Sequence, residues 1–214
     1  MLDKKGKTGK PDPVRRVALD GVCMAMYMVL AFLSISIGNV KLVLTSVVVL
    51  LVGCLYGPLD AVIVAAGGEF LNQVIRYGVT ATTPLWVLPP ALRGLIVGVA
   101  ALILFRLKGR FMEKTPVLLF SVGIAAAPIV TMVNTLIIYL DAKIFDYYTS
   151  AYVWGQFGWR MLTGVVTAAL VCLLCLFILP PMRKEGIGRF VKPREEEESE
   201  DGRAKDGLRD DWDL

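Results

Sequence analysis

The chain has 214 residues, of which 56% are hydrophobic, and a mean hydropathy of +0.62, which takes it out of the soluble class. It contains no histidine, so it lacks the commonest metal ligand and general base, and an enzyme is a poor expectation. The formal charge of +4 is unevenly spread, with basic clusters near the apolar runs and an acidic C-terminus.

A bilayer-spanning helix needs roughly 20 mostly apolar residues. Thr115 to Leu140 gives 26 residues without a charge, Met161 to Met182 gives 22, and Gly21 to Ile37 gives 17. Leu42 to Tyr56, Pro58 to Tyr77 and Leu85 to Phe105 add shorter or partly charged segments. The expected fold is all-α, a polytopic membrane protein of six helices over 17–182. The first apolar run lacks a small-residue cleavage site and is kept as a helix rather than read as a signal peptide. Residues 1–16 carry six Lys/Arg against two Asp, 106–114 carry four basic residues against one Glu, and Arg183 and Lys184 follow the last span. The positive-inside rule places all three segments, and so both termini, in the cytoplasm. The turns at 38–41, 78–86 and 141–155 then lie outside.

In chain order, residues 1–16 read as a disordered basic tail at the membrane surface. The first helix, Val17 to Ile37, carries Ala18, Gly21 and Ala25 on one face, a small-residue stripe that lets another helix approach closely in lipid. That helix is either internal or a partner's. Asp20 suggests an interfacial ion pair with Arg15 or Arg16. Gly57-Pro58 turns the chain, and Asp60 suits the first turn of the third helix.

That third helix sets Glu69, Asn72, Gln73 and Arg76 at i, i+3, i+4 and i+7, on one face. A charge at the bilayer centre costs ~3 kcal/mol and normally faces a bundle interior or cavity. Two readings stand: an ion pair of Glu69 with Arg76 or Arg93 that locks helices, or a polar ligand pocket open to the outside. The fourth helix brings Arg93, whose fork suits a carboxylate or phosphate. Trp86 just before it suits ring stacking or an interfacial belt, and Gly94 and Gly98 suit close internal packing.

The fifth helix is apolar apart from Thr131, Asn134 and Thr135, and Asn134 needs a partner, either another helix or a ligand. The next outer segment is rich in aromatic residues (Phe145, Tyr147, Tyr148, Tyr152, Trp154, Phe157 and Trp159), a membrane-interface belt or a lid over a heteroaromatic ligand. The sixth helix starts near Gln156 to Arg160 and ends at Pro180-Pro181. Its Cys172 and Cys175 form a C-x-x-C with no polar neighbour and read as packing residues rather than a redox or metal site. Residues 183–214 form an acidic, solvated tail with no assigned chemistry.

The stripe around Gly21 and Ala25, the run LLVGCLYGPLDAVIVAAGGEF (Leu50 to Phe70) and TPLWVLPPALRGLIVG (Thr83 to Gly98) resemble the substrate-binding (S) components of energy-coupling factor vitamin transporters. The A-L-R-G-L-I-x-G segment looks most like the folate-type group. The resemblance implies a six-helix protein of the bacterial plasma membrane that captures a vitamin from outside. It would then dock through Gly21 and Ala25 onto a transmembrane coupling subunit driven by two ATPases. The chain has no phosphate-binding loop of its own, so ATP hydrolysis falls to those partners. The resemblance supports Arg93 as an anion-binding group and Trp86 as pocket wall, while Glu69, Asn72, Gln73 and Arg76 follow from helical phase and Asn134 from its depth. Folate suits these residues, and pantothenate or another carboxylated vitamin suits the arginines nearly as well. No catalytic residue, metal site, cofactor or nucleic-acid partner is expected. A structural membrane subunit, or an integral membrane enzyme using Glu69, are the alternatives.

Overall fold

The computed structural model describes residues 13–33, 35–37, 40–42, 44–108 and 111–185. Six long helices dominate, as expected: α1 (Pro13–Phe32), α2 (Thr45–Leu55), α3 (Pro58–Tyr77), α5 (Leu88–Lys108), α6 (Pro116–Ile144) and α8 (Phe157–Lys184). Two four-residue helices, α4 (Thr83–Trp86) and α7 (Ser150–Val153), occupy the connections before α5 and α8. The expected disorder of 1–16 and 183–214 falls largely outside the described residues, although 13–16 are helical and open α1.

Beyond the earlier start of α1 at Pro13 and the run of α6 on to Ile144, into the expected outer turn, four boundaries differ from expectation. The first helix stops at Phe32, and Ile35–Ile37 (β1) pairs antiparallel with Val40–Leu42 (β2), Ile37 opposite Val40. The sequence Ser-Ile-Ser-Ile-Gly-Asn-Val-Lys-Leu alternates with period two around a Gly-Asn pair, which is a hairpin signal. An apolar count scores the isoleucines as helix and misses that alternation. The second helix, expected from Leu42, begins at Thr45, because Leu42 belongs to β2. The outer loop before the fourth helix contains α4, so the helical stretch there begins at Thr83 rather than Leu85. The last helix runs through Pro180 and Pro181 to Lys184. Proline's fixed φ is helical, each ring sacrifices one backbone bond, and Glu185 N–H still reaches the Pro181 carbonyl at 3.2 Å.

Every residue of α2 is buried. Its eleven residues rise ~16 Å, about half a hydrocarbon core, so α2 is a central post rather than a full-length span. It packs against α1, α3, α5 and α8. Leu50, Leu51 and Leu55 of α2 meet Val97 and Leu104 of α5 and Val171 and Leu179 of α8 in the main apolar cluster. Cys172 and Cys175 lie wholly inside that cluster, which is the packing role expected of them.

Gly57, at φ 101°, makes the tight turn from α2 into α3 in a conformation that a side chain would oppose. Across the bundle α5 lies so close that a methyl on Gly94 would sit 2.9 Å from the Ala61 carbonyl oxygen, and one on Gly98 would strike the Pro58 backbone. The G-x-x-x-G of that helix is therefore an internal packing face.

Among the described residues, three stretches are long and apolar enough to cross a membrane: Thr83–Leu107, Pro116–Ile144 and Ser150–Lys184. Large apolar side chains such as Val22, Leu59, Ile103, Leu136, Leu170 and Phe177 point outward from the bundle, the arrangement expected of lipid-facing surface.

At one end of the bundle the N-terminus of α1, the α2–α3 turn, the 3₁₀ turn at Met112–Lys114 and the end of α8 come together. Arg16 pairs there with Asp60, which is 2% exposed, in place of the expected pairing with Asp20. Packing of α1 on α3 brings Asp60 to Arg16 across the helix interface. Arg183 donates to the Cys54 carbonyl at 3.0 Å and its guanidinium lies over the Phe111 ring. The hairpin, α4 and α7 belong to the opposite end.

Candidate functional site

At that opposite end α1 and α3 finish while α2, α5 and α8 begin, and their polar end residues surround a cavity of about 530 Å³. All seven side chains singled out from sequence line it: Glu69, Asn72, Gln73, Arg76, Trp86, Arg93 and Asn134. A volume of this size suits a small organic ligand.

Glu69 is the polar centre of the wall. Tyr27 donates its hydroxyl to Oε2 at 2.7 Å, Gln73 donates its amide to Oε1 at 2.7 Å, and Asn72 reaches both oxygens at 3.3 and 3.4 Å. The i, i+3, i+4 spacing supplies two of these donors from Glu69's own helix. Tyr27, 2% exposed, comes from α1 and is held tightly: a methyl on Gly68 would stand 2.7 Å from its ring, and one on Gly67 would meet Met24. The paired glycines therefore let α1 approach α3 closely enough for the tyrosine to reach the carboxylate.

The expected ion pair of Glu69 with Arg76 or Arg93 does not form. Arg76 instead donates to the carbonyl of Ala31, one of the orphan acceptors at the end of α1, and its guanidinium lies 4.9 Å from the Phe32 ring centroid. Its Nε and the Asn72 side-chain oxygen are buried without a hydrogen-bond partner. Arg93 donates to the Ser46 hydroxyl at the start of α2. Asn134 makes no side-chain hydrogen bond among the described residues, which leaves its amide to the cavity.

Apart from Trp159, named among the aromatic residues of a belt or lid, the wall contributed by α8 was missed from sequence. Gln156, Trp159, Arg160, Thr163, Gly164 and Thr167 all line the cavity, at i, i+3, i+4, i+7, i+8 and i+11. That spacing is the same one-face signal that marked α3, and threonines on an otherwise apolar helix hide it from a charge count. Arg160 donates to the carbonyls of Tyr152 at 3.2 Å and Val153 at 3.4 Å, which ties the first turn of α8 to α7. Tyr27, Thr45 and Ser46 were also missed, because their positions near helix ends carry no periodic signal.

Of the seven aromatic residues of the outer segment, Trp159 alone lines the cavity. Phe145, Tyr147, Tyr148, Tyr152 and Trp154 are exposed; Tyr147 packs on Tyr152, Trp154 on Phe157, and Tyr148 on Tyr139 and Lys143. Asp141 anchors this region: it accepts from Thr82 Oγ1 at 2.5 Å, linking α6 to the segment before α4, and from the Tyr147 hydroxyl. Withdrawal from water and that hydrogen bond raise the Tyr147 phenol above its ordinary value.

On the outer surface of α1, Ala18, Gly21 and Ala25 are exposed, and no atom of another element lies within 4 Å of a methyl placed on Gly21. The stripe is not used inside the bundle. The opposite side of the same helix carries Tyr27 and Ala31 into the cavity wall.

A family model described as the substrate-specific component of ECF transporters matches residues 15–175, three quarters of the chain and every cavity-lining residue. No curated protein matches this sequence.

Proposed function

The chain belongs to the substrate-specific components of ECF transporters, and on that premise we propose that its cavity captures a vitamin, folate-like in chemistry, from outside the cell. Membership makes it an integral membrane protein and a substrate-binding subunit rather than an enzyme, working with an ECF module of coupling protein and ATPases. The observation that carries the ligand reading is the convergence of Glu69, Asn72, Gln73, Arg76, Trp86, Arg93 and Asn134, from four helical segments, on one cavity.

Each group has a matching task. Glu69 takes four contacts from three protein donors, and the two from Asn72 are long, at 3.3 and 3.4 Å, so a ring N–H of the ligand can take the place of one of them. Arg93 takes a ligand carboxylate. Trp86 and Trp159 supply flat apolar wall for a conjugated ring, and Asn134 offers both a donor and an acceptor. The basic segments gather at the end opposite the cavity, which supports a cytoplasmic placement of that end and an outward-facing cavity mouth. Six spans, with α2 as a central post completed by its flanking turns, are part of the same reading. Docking onto the coupling subunit uses the exposed Gly21–Ala25 face of α1, which shares its helix with the cavity residue Tyr27.

The test is thermal stabilisation of the detergent-purified protein by a panel of B vitamins. A ligand at ~100 times its dissociation constant adds about 2.7 kcal/mol. A shift with folate that disappears in Arg93→Ala supports the reading. A shift with another vitamin reassigns the substrate, and no shift with any removes the vitamin from it.

A further inference from the structure

The cavity wall holds three guanidinium groups, Arg76, Arg93 and Arg160, and one carboxylate, Glu69. Three positive charges against one negative leave +2 facing the cavity. None of these arginines pairs with a carboxylate among the described residues, and the Arg16–Asp60 pair sits at the far end. Like charges gathered around one cavity repel each other and focus a positive field into it, which favours an anionic ligand.

The three arginines are not equivalent. Arg76 closes the end of α1 by donating to Ala31, and its guanidinium lies over the Phe32 ring. Arg93 is steadied by a neutral hydroxyl, Ser46. Arg160 makes two hydrogen bonds at 3.2 and 3.4 Å, long for a charged donor, and lies 5.9 Å from the Tyr152 ring centroid, so it is held more loosely than Arg76. Arg93 also borders the interior beside Thr167 and Cys172 of α8, and Arg160 lies seven residues before Thr167 on that helix, about 10 Å nearer its start, so one small anion does not satisfy both.

We propose that Arg93 and Arg160 are two separate anion subsites and that the captured molecule is a dicarboxylate, its two charges set on different parts of the molecule. This rests on the cavity being the capture site, but not on which vitamin occupies it. The second anion-binding group is then Arg160 rather than Arg76, which holds α1 to α3.

The test uses the full chain in detergent at neutral pH and constant ionic strength, melted in the presence of glutarate, propionate or methyl phosphate. Glutarate carries two separated carboxylates, propionate one, and methyl phosphate concentrates its charge on a single group. Glutarate is expected to stabilise at a concentration about tenfold or more below that needed for the other two, the factor worth one charged hydrogen-bonded contact. Arg160→Gln removes that advantage and leaves the propionate response within about twofold, and Arg160→Lys retains part of it as a point charge. Equal responses to glutarate and propionate, or a glutarate response untouched in Arg160→Gln, overturn the proposal. Tight binding of a neutral or cationic vitamin such as riboflavin or thiamine overturns it too, while leaving the vitamin-capture reading intact. An Arg160-dependent glutarate response without any vitamin response upholds the subsites and removes the vitamin.

Discussion

Replacing Tyr27 by phenylalanine removes one hydroxyl and leaves the ring against Gly68, so the change probes the hydrogen bond to Glu69. Interhelical hydrogen bonds inside membranes are worth about 0.6 kcal/mol on average and about 1.7 kcal/mol at most. Two features put this one near the upper end: the acceptor is a carboxylate and the donor distance is 2.7 Å. Glu69→Ala removes the acceptor, leaves the tyrosine hydroxyl to Thr45 alone, and also frees Gln73 and Asn72. A double-mutant cycle cancels those side effects and isolates the Tyr27–Glu69 coupling. Equilibrium unfolding of the full chain in mixed detergent and dodecyl sulfate micelles is the assay, and a coupling of about 1 to 1.5 kcal/mol is expected. If the two substitutions add to within ~0.3 kcal/mol, Tyr27 does not support Glu69 and the account of the α1–α3 wall is wrong.

Two further outcomes follow from packing. Gly98→Ala drives a methyl into the Pro58 backbone, which has no flexible end to yield, and should destabilise by about 1 to 2 kcal/mol after the ~1 kcal/mol gain in helix propensity. Gly21→Ala meets nothing within 4 Å and should be neutral or mildly stabilising in the same unfolding assay; equal losses at both sites would contradict the close α3–α5 crossing. Widening the exposed stripe with Gly21→Leu and Ala25→Leu together should leave ligand-induced stabilisation unchanged and abolish uptake in cells carrying the coupling module. Loss of ligand binding in that double variant would mean the stripe belongs to the bundle and not to a partner.

The apolar runs and their basic flanks were sufficient to reach a helical membrane protein, because lipid forces backbone polar groups to be satisfied within each segment and makes hydropathy a direct physical signal. Helical phase was likewise sufficient to put Glu69, Asn72, Gln73 and Arg76 on one face, since 3.6 residues per turn is a local property. The hairpin at 35–42 was also written locally, in its alternation and its Gly-Asn pair, and was overlooked. What sequence left open was every question of partnership. Glu69 had two candidate arginines and took neither; its partners are Tyr27 from another helix and two neighbours on its own. Arg16 passed over Asp20, one turn away, for Asp60 across the helix interface. Arg160 became cavity wall because α8 packs on α6 and α2 with its threonine face inward, a rotation that no local pattern fixes. Lipid solvation acts on each helix separately and is therefore legible in the chain. Contacts between helices depend on how closely Gly67, Gly68, Gly94 and Gly98 let backbones approach, and that is decided where the helices cross.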